Sequence, residues 1–226
     1  MGAKRILQWV VSGGASVSAE VADLIAAQVE QLQQGGEDQL SLGLGEKWTS
    51  QCQFMRQAQE DSKSGQQALN SAATGQEVVV VVLSEASKYR YLVARGEKIV
   101  VEADETIMDV LAKLELQPIP SSNIKFEGSR YKVGDFIVKV GSVSQNEEFK
   151  GVMVEVEYAP IMSIPIADPL LANFCTMLQE LTSGISPGRL EQVRVDFNKY
   201  SLGPQFTPTH SSVLLAAIAG SFIKAA

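Results

Sequence analysis

The chain has 226 residues, of which 19 are Lys or Arg and 26 are Asp or Glu, so its formal net charge at pH 7 is -7. An acidic chain lacks the concentrated Lys and Arg that binding to nucleic-acid phosphates requires, so we expect no direct nucleic-acid partner. The apolar run near the N-terminus and the C-terminal segment SSVLLAAIAGSFIKAA are both shorter than a membrane span, so we also expect no membrane partner.

Hydrophobic spacing in the first quarter of the chain predicts a strand, a helix and a second strand. The run ILQWVV predicts a strand from Ile6 to Val11, and apolar residues at helical spacing predict a helix from Val17 to Leu32. The segment KWTSQCQFMR alternates apolar and polar residues, as a strand with one solvated face does. Residues 57–76 are rich in Gln, Ser, Ala and Asn without a sustained apolar period, so we predict a flexible loop there.

The next part of the chain predicts an antiparallel meander followed by a helix. Three runs with short breaks, EVVVVVLS, YRYLVARG and KIVVEA, have the composition and spacing of such a meander. Asp104 is the predicted N-cap of the helix. Its predicted buried face consists of Ile107, Val110, Leu111 and Leu114. The segment PIPSS predicts a break before a further strand, IKFEGSRYKV.

The stretch GDFIVKVGSVSQNEEFKGVMVEVEYAP, from Gly134 to Pro160, predicts a β-hairpin. The apolar phases of its two strands must share a face if both are buried against the same layer. Directly opposed residues also share a face, so Lys139 is predicted to lie beside Glu155 or Glu157.

The last third of the chain predicts helices. Asp168 and Pro169 have the character of an N-cap followed by proline at the first helical position, and Gly184 is the predicted end of that helix. SSVLLAAIAGSFIK is predicted to be the C-terminal helix. GRLEQVRVDFNKY is predicted to be helical, with a strand around Val193 and Val195 as the alternative.

These elements define an expected fold class. They amount to about seven or eight strands and four helices without a repeated strand–helix–strand rhythm, which favours an α+β protein with an antiparallel sheet. No linker or internal repeat divides the sequence, so we predict one domain over residues 1–226.

Most residue patterns used in catalysis are missing from the sequence. His210 is the only histidine and has no Cys, Asp or Glu near it, so we expect a solvated residue in a loop or at a helix start. Cys52 and Cys175 lack the paired spacing of a zinc site and are expected to be reduced thiols. Phosphate-binding loops and a nucleophile elbow are also missing. We therefore assign no catalytic, metal or cofactor-binding residue, and expect no cofactor.

The pattern Glu155-x-Glu157 has two interpretations. Residues two apart on a strand project to the same side, and two carboxylates there could hold a divalent cation such as magnesium. The same residues are also the polar phase of a strand whose other phase is apolar: Val152, Val154, Val156 and Tyr158. We favour the second interpretation, because the only candidate for a second acidic pair is Glu102-x-Asp104, and Asp104 is the predicted helix cap.

The stretch EGSRYKVGDFIVKVGSVSQNEEFKGVMVEVEY resembles the central region of the Mediator subunit 20 family, also called the TRF-proximal protein family. The family pattern G-[ST]-R-Y corresponds to Gly128–Tyr131. The pattern D-F-[LIV]-V-K-V-G-x-V corresponds to Asp135–Val143, and G-x-x-V-E-V-E-Y corresponds to Gly151–Tyr158. The segment GASVSAEVADLI also resembles the first helix of the family.

The resemblance implies a non-enzymatic scaffold subunit of the Mediator head, a nuclear coactivator that bridges gene-specific transcription factors and RNA polymerase II. It implies partnership with the eighteenth subunit and, indirectly, the eighth, and an antiparallel β-barrel of about eight strands flanked by helices. The residues that bind these partners are not assigned. The family barrel is similar to that of metal-dependent RNA triphosphatases, so the alternative is a tunnel-type divalent-metal-dependent phosphohydrolase that uses Glu155 and Glu157.

Overall fold

The computed structural model describes residues 1–11, 17–34, 46–57 and 77–223. Nine strands and four helices lie within these residues. In chain order they are β1 (Ala3–Val10), α1 (Glu20–Gln34), β2 (Glu46–Gln57), β3 (Glu77–Val82), β4 (Arg90–Ala94), β5 (Ile99–Ala103), α2 (Ile107–Lys113), β6 (Leu116–Val133), β7 (Phe136–Gln145), β8 (Glu148–Tyr158), α3 (Ile164–Leu181), β9 (Arg189–Val193) and α4 (Pro208–Ile223).

The strands form one antiparallel sheet in the order β5-β4-β3-β2-β6-β7-β8-β1-β9, which confirms the predicted α+β class. The described sheet has nine strands instead of about eight, and it is open at β5 and β9, so the predicted closed barrel is only a loose description. Helix α4 contacts both edge strands.

The two faces of the sheet are covered by different helices. The outer face is covered by α1 and α3, and Phe174 of α3 stacks on Phe136 of β7 with ring centroids 4.0 Å apart. The inner face is covered by α4, which contacts β1 to β5 and β9. Helix α4 is apolar nearly all round and is buried over most of its length, as expected of a helix enclosed by other elements.

Helix α3 begins earlier than predicted. Its N-cap is Ser163, with Pro165 in the first turn, and Pro169 lies inside the helix. The side chain of Asp168 pairs with Arg5. Two prolines stand within reach of a helix start, and the sequence pattern did not distinguish the one that occupies the first turn.

The segment GRLEQVRVDFNKY forms a strand and a short 3-10 turn, Phe197–Tyr200, so its predicted helix is wrong. The strand alternative is confirmed as far as Val193, and Val195 lies outside the strand. Strand β9 pairs with β1, with Leu190 opposite Trp9. This pairing joins distant parts of the chain, and it overrides local helical preference.

Helix α2 differs from prediction at its start and on its buried face. It begins at Ile107, after a turn in which the carboxylate of Asp104 accepts a hydrogen bond from the Thr106 amide at 2.9 Å. Leu111 is buried, but Val110 and Leu114 are 45% and 56% exposed. The predicted buried face was therefore wrong at these two positions.

The segment PIPSS does not end a strand, because β6 continues through it. The register with β2 shifts there, from Gln53 opposite Asn123 to Met55 opposite Pro118. The residues of PIPSS therefore form an irregular, bulge-like part of β6. Of the predicted loop 57–76, only Gln57 lies among the described residues, where it ends β2. In the described part of the chain, no helix is both long and apolar enough to span a membrane.

Candidate functional site: the inner charged cluster

Five charged side chains meet on the inner face of the sheet and are called here the inner charged cluster: Lys4, Glu85, Lys139, Glu155 and Glu157. Strand β8 lies between β1 and β7, so Glu155 stands directly opposite Lys139, and Glu157 stands opposite Lys4. Glu85 belongs to the 3-10 turn after β3. The prediction that Lys139 lies beside Glu155 or Glu157 is confirmed, and the register makes Glu155 the direct neighbour.

Each lysine of the cluster binds more than one carboxylate. Lys4 Nζ lies 2.5 Å from Glu85 Oε1, 2.9 Å from Glu155 Oε1 and 3.5 Å from Glu157 Oε2. Lys139 Nζ lies 3.0 Å from Glu155 Oε1 and 3.2 Å from Glu85 Oε2. The cluster is therefore one connected network of charge-assisted hydrogen bonds.

The cluster is buried, which alternation along β8 did not indicate. Glu155 and Glu157 are 4% and 7% exposed, although the apolar phase of the same strand is also buried. Both phases are enclosed because β8 is a central strand with α1 and α3 on one face and the cluster and neighbouring inner-face side chains on the other. Buried charges are stable only when they are paired, and these carboxylates are paired within the chain.

The pairing sets the charge state of the cluster. Burial alone would raise the pKa of Glu155, but the ammonium groups of Lys4 and Lys139 lower it below its usual value. Glu85 shows the same balance, and its pKa is also lowered. Burial alone would lower the pKa of Lys4, but the three surrounding carboxylates raise it. Glu155 and Glu85 therefore contribute stability that is lost as the pH falls through their folded pKa, and Lys4 contributes stability that is lost only at strongly basic pH.

Neutral groups complete the surroundings of the cluster. The amide of Gly2 donates a hydrogen bond to Glu157 Oε1 at 2.6 Å, and Lys139 Nζ lies 5.4 Å from the centroid of the Trp48 ring. Trp48 fits because Gly141 of β7 has no side chain. A Cβ at Gly141 would lie 2.7 Å from the Trp48 ring.

This arrangement is poorly suited to metal binding. One oxygen of Glu155, Oε1, already pairs with both Lys4 and Lys139. Glu157 Oε1 accepts a hydrogen bond from the Gly2 amide, and Glu157 Oε2 lies 3.5 Å from Lys4 Nζ. Over the described ranges, no group of three or more His, Cys, Asp or Glu side chains is placed to hold a metal ion. A cleft of about 430 Å³ is lined by four of the five cluster residues, Lys4, Glu85, Lys139 and Glu157, and by the ion pair of Arg130 with Glu46.

His210 was predicted to be solvated, but it is 1% exposed near the start of α4. Its Nδ1 accepts a hydrogen bond from the Thr207 amide at 3.2 Å, and its Nε2 lies 3.0 Å from the Gly203 carbonyl oxygen, to which it donates. The spacing Thr-x-x-His is that of a capping box with histidine in the place of Glu or Gln. Burial lowers the pKa of His210, so the structure uses the neutral ring as a cap for α4.

Fold and cluster together define an α+β protein with an open antiparallel sheet, an internal helix and a buried, self-neutralised charged cluster. Comparison with known proteins gives the family. The family model for the TATA-binding related factor (TRF) of subunit 20 of Mediator complex matches residues 1–217. Mediator of RNA polymerase II transcription subunit 20b of Arabidopsis thaliana is 31% identical over 217 residues, covering 94% of this chain and 92% of that protein.

Subunit 20 of Homo sapiens is 32% identical over 97 residues, covering 43% of this chain and 44% of that protein. Among solved structures, an RNA triphosphatase of S. pombe aligns with a TM-score of 0.30 and 9% identity, over 80% of this chain and 76% of that one. That likeness is too weak to carry an argument about activity. The chain belongs to the Mediator subunit 20 family, and hence to the proteins of a nuclear transcription-regulating complex.

Proposed function

We propose that this chain is a non-enzymatic scaffold subunit of the Mediator head, within a coactivator that bridges gene-specific transcription factors and RNA polymerase II in the nucleus. The match of the family model over residues 1–217 supports the assembly role. The proposed partners are the eighteenth subunit and, through it, the eighth, with RNA polymerase II reached indirectly. No direct contact with nucleic acid or membrane is part of the proposal.

The observation that carries the non-enzymatic part is the pairing of the inner charged cluster. A tunnel-type phosphohydrolase would need Glu155 and Glu157 free to bind a divalent cation. Here Lys4 hydrogen-bonds Glu155 at 2.9 Å and the Gly2 amide hydrogen-bonds Glu157 at 2.6 Å. These donors already engage one oxygen of each glutamate, which favours a structural role for both.

Affinity purification of the full chain from cells that express it tests the assembly role. We expect other Mediator subunits to be recovered in fixed proportion to the tagged chain. A monomer that hydrolyses nucleoside triphosphate with manganese would contradict the proposal. The variant Glu155→Gln combined with Glu157→Gln is the matched control for that activity, since a metal-dependent site would lose turnover on losing both carboxylates.

A further inference from the structure

The two edges of the sheet are protected to different degrees. Edge strand β9 carries polar side chains, and Arg189 pairs with Glu191. Edge strand β5 instead exposes two β-branched side chains, Ile99 at 54% and Val101 at 47%. Natural sheets normally protect their edges with charge, proline or a covering element, so an exposed apolar edge indicates a surface that another chain covers.

The outer face next to β5 continues this apolar surface. Val101 stands opposite Leu92 of β4, and Leu92 stands opposite Val80 of β3, so these side chains form a row across the sheet. Leu111 of α2 packs in the same cluster as Val80 and Leu92. Helix α2 covers the row at β3 and β4. The row is uncovered at β5, which is the edge strand of the sheet.

The free edge itself selects the shape of an occupant. In the described part of the chain β5 pairs only with β4, so its other side presents unpaired main-chain N–H and C=O groups. An extended segment satisfies such groups by adding one more strand, whereas a docked helix would leave them unpaired. Glu102 is the charged side chain of β5; it is exposed and lies on the face opposite to Ile99 and Val101, so an occupant can match it with a basic residue.

We propose that β5 is a docking edge for an extended segment of another Mediator subunit, which adds to the sheet as a tenth strand. Its side chains on the outer face are apolar and contact Ile99 and Val101. On the other face it places a basic residue opposite Glu102. The identity of the occupant rests on the proposed function, since it is taken from the same complex.

Hydrogen exchange of the full chain, free and in the complex purified through a tag on it, tests the proposal without any substitution. Strand addition slows exchange of the outward amides within residues 99–103 by at least about tenfold on assembly, because each gains a main-chain acceptor. Amides of β9 are the internal comparison and change less.

A double variant and a control variant test the same edge by changing exposed side chains and measuring the recovery of Mediator subunits. Ile99→Lys combined with Val101→Lys places charge on the docking face and reduces recovery of Mediator subunits at least about tenfold. Ile166→Lys is the matched control, since Ile166 is 61% exposed on α3, away from this edge, and retains recovery.

The possible outcomes separate this inference from the proposed function. Assembly with Mediator subunits but unchanged exchange at residues 99–103 would overturn the docking edge and leave the proposed function standing. Concentration-dependent protection of those residues in the purified chain alone would overturn it in favour of a second copy as occupant. Failure to recover any Mediator subunit with the wild-type chain would overturn the proposed function, and this inference with it.

Discussion

The inner charged cluster and the free edge of β5 lie on the same sheet, yet the first buries charged side chains and the second exposes β-branched ones. Lys4 and Glu155 are 5% and 4% exposed, whereas Ile99 and Val101 are about half exposed. Buried charges and exposed apolar patches are the two departures from ordinary burial that carry information.

The difference between the two regions lies in where their partners are. Lys4 pairs with Glu85, Glu155 and Glu157 of its own chain, so these carboxylates offset the cost of removing its charge from water. The edge of β5 lacks such a partner in the described chain, so its apolar surface is removed from water only when another subunit covers it. Substitutions in the cluster should therefore act on folding, and substitutions at the edge should act on assembly.

The largest expected effect is at the centre of the cluster. Lys4→Met removes the ammonium shared by three carboxylates and leaves buried negative charge, so we expect the free energy of unfolding to fall by about 3–5 kcal/mol. Urea denaturation of the purified chain measures it. Lys150→Met, which breaks an exposed pair with Glu148, is the control and should cost less than about 1 kcal/mol. Equal losses in the two variants would show that burial of the cluster adds nothing.

A steric prediction concerns the glycine that opens the GSRY motif. A Cβ at Gly128 would lie 2.0 Å from the Val140 carbonyl oxygen, which is backbone and cannot move aside freely. We expect Gly128→Ala to destabilise the chain by about 1–3 kcal/mol, through displacement of β6 from β7. Gly184→Ala is the control, because nothing lies within 4 Å of its added methyl group. Thermal denaturation compares the two, and a wild-type-like Gly128→Ala would contradict the close strand approach.

The cap of α4 predicts a pH dependence separate from that of the cluster. Because burial lowers the pKa of His210, its neutral form contributes stability that is present above the unfolded pKa near 6.5 and is lost as the pH falls through the folded value. His210→Gln keeps an acceptor for the Thr207 amide but does not titrate. We therefore expect the wild type to lose more stability than this variant between pH 7.5 and pH 5, measured by urea denaturation. The same loss in both proteins would assign the acid sensitivity to other groups.

The smallest effect is expected at the edge. Val101→Thr keeps the β-branched shape of a half-exposed side chain, so the free energy of unfolding of the isolated chain should change by less than about 0.5 kcal/mol. Val93→Thr on the neighbouring strand is the matched comparison, since Val93 is fully buried, and its loss should be several times larger. Similar losses at both positions would mean that the edge is covered within the chain itself.

The sequence was most informative where one pattern dominates. Strict alternation in the hairpin predicted both strands and placed Lys139 beside Glu155 or Glu157, because side-chain phase fixes which residues share a face. The register of the structure makes Glu155 the direct neighbour. The segment GRLEQVRVDFNKY carried two competing patterns, and only pairing with β1 decided between them.

The rest of the site depends on contacts between distant residues. Lys4 and Glu85 lie far from Glu155 along the chain, and no local pattern connects them. The burial of His210 likewise depends on Phe197 and Phe206, whose rings lie 4.8 Å and 5.1 Å from its own. The exposure of Val110 could not be predicted either, because an amphipathic pattern gives a direction for the apolar face but does not show how much sheet lies beneath it.

The most direct test of the account compares two double variants in one assembly measurement, with each preparation normalised to folded protein. The first is Glu155→Gln with Glu157→Gln in the cluster, and the second is Ile99→Lys with Val101→Lys at the edge. The recovery of Mediator subunits with the tagged chain should be close to the wild-type value for the folded cluster variant. For the folded edge variant it should be at least about tenfold lower than for the wild type. Recovery lost in the cluster variant and retained in the edge variant would contradict the account.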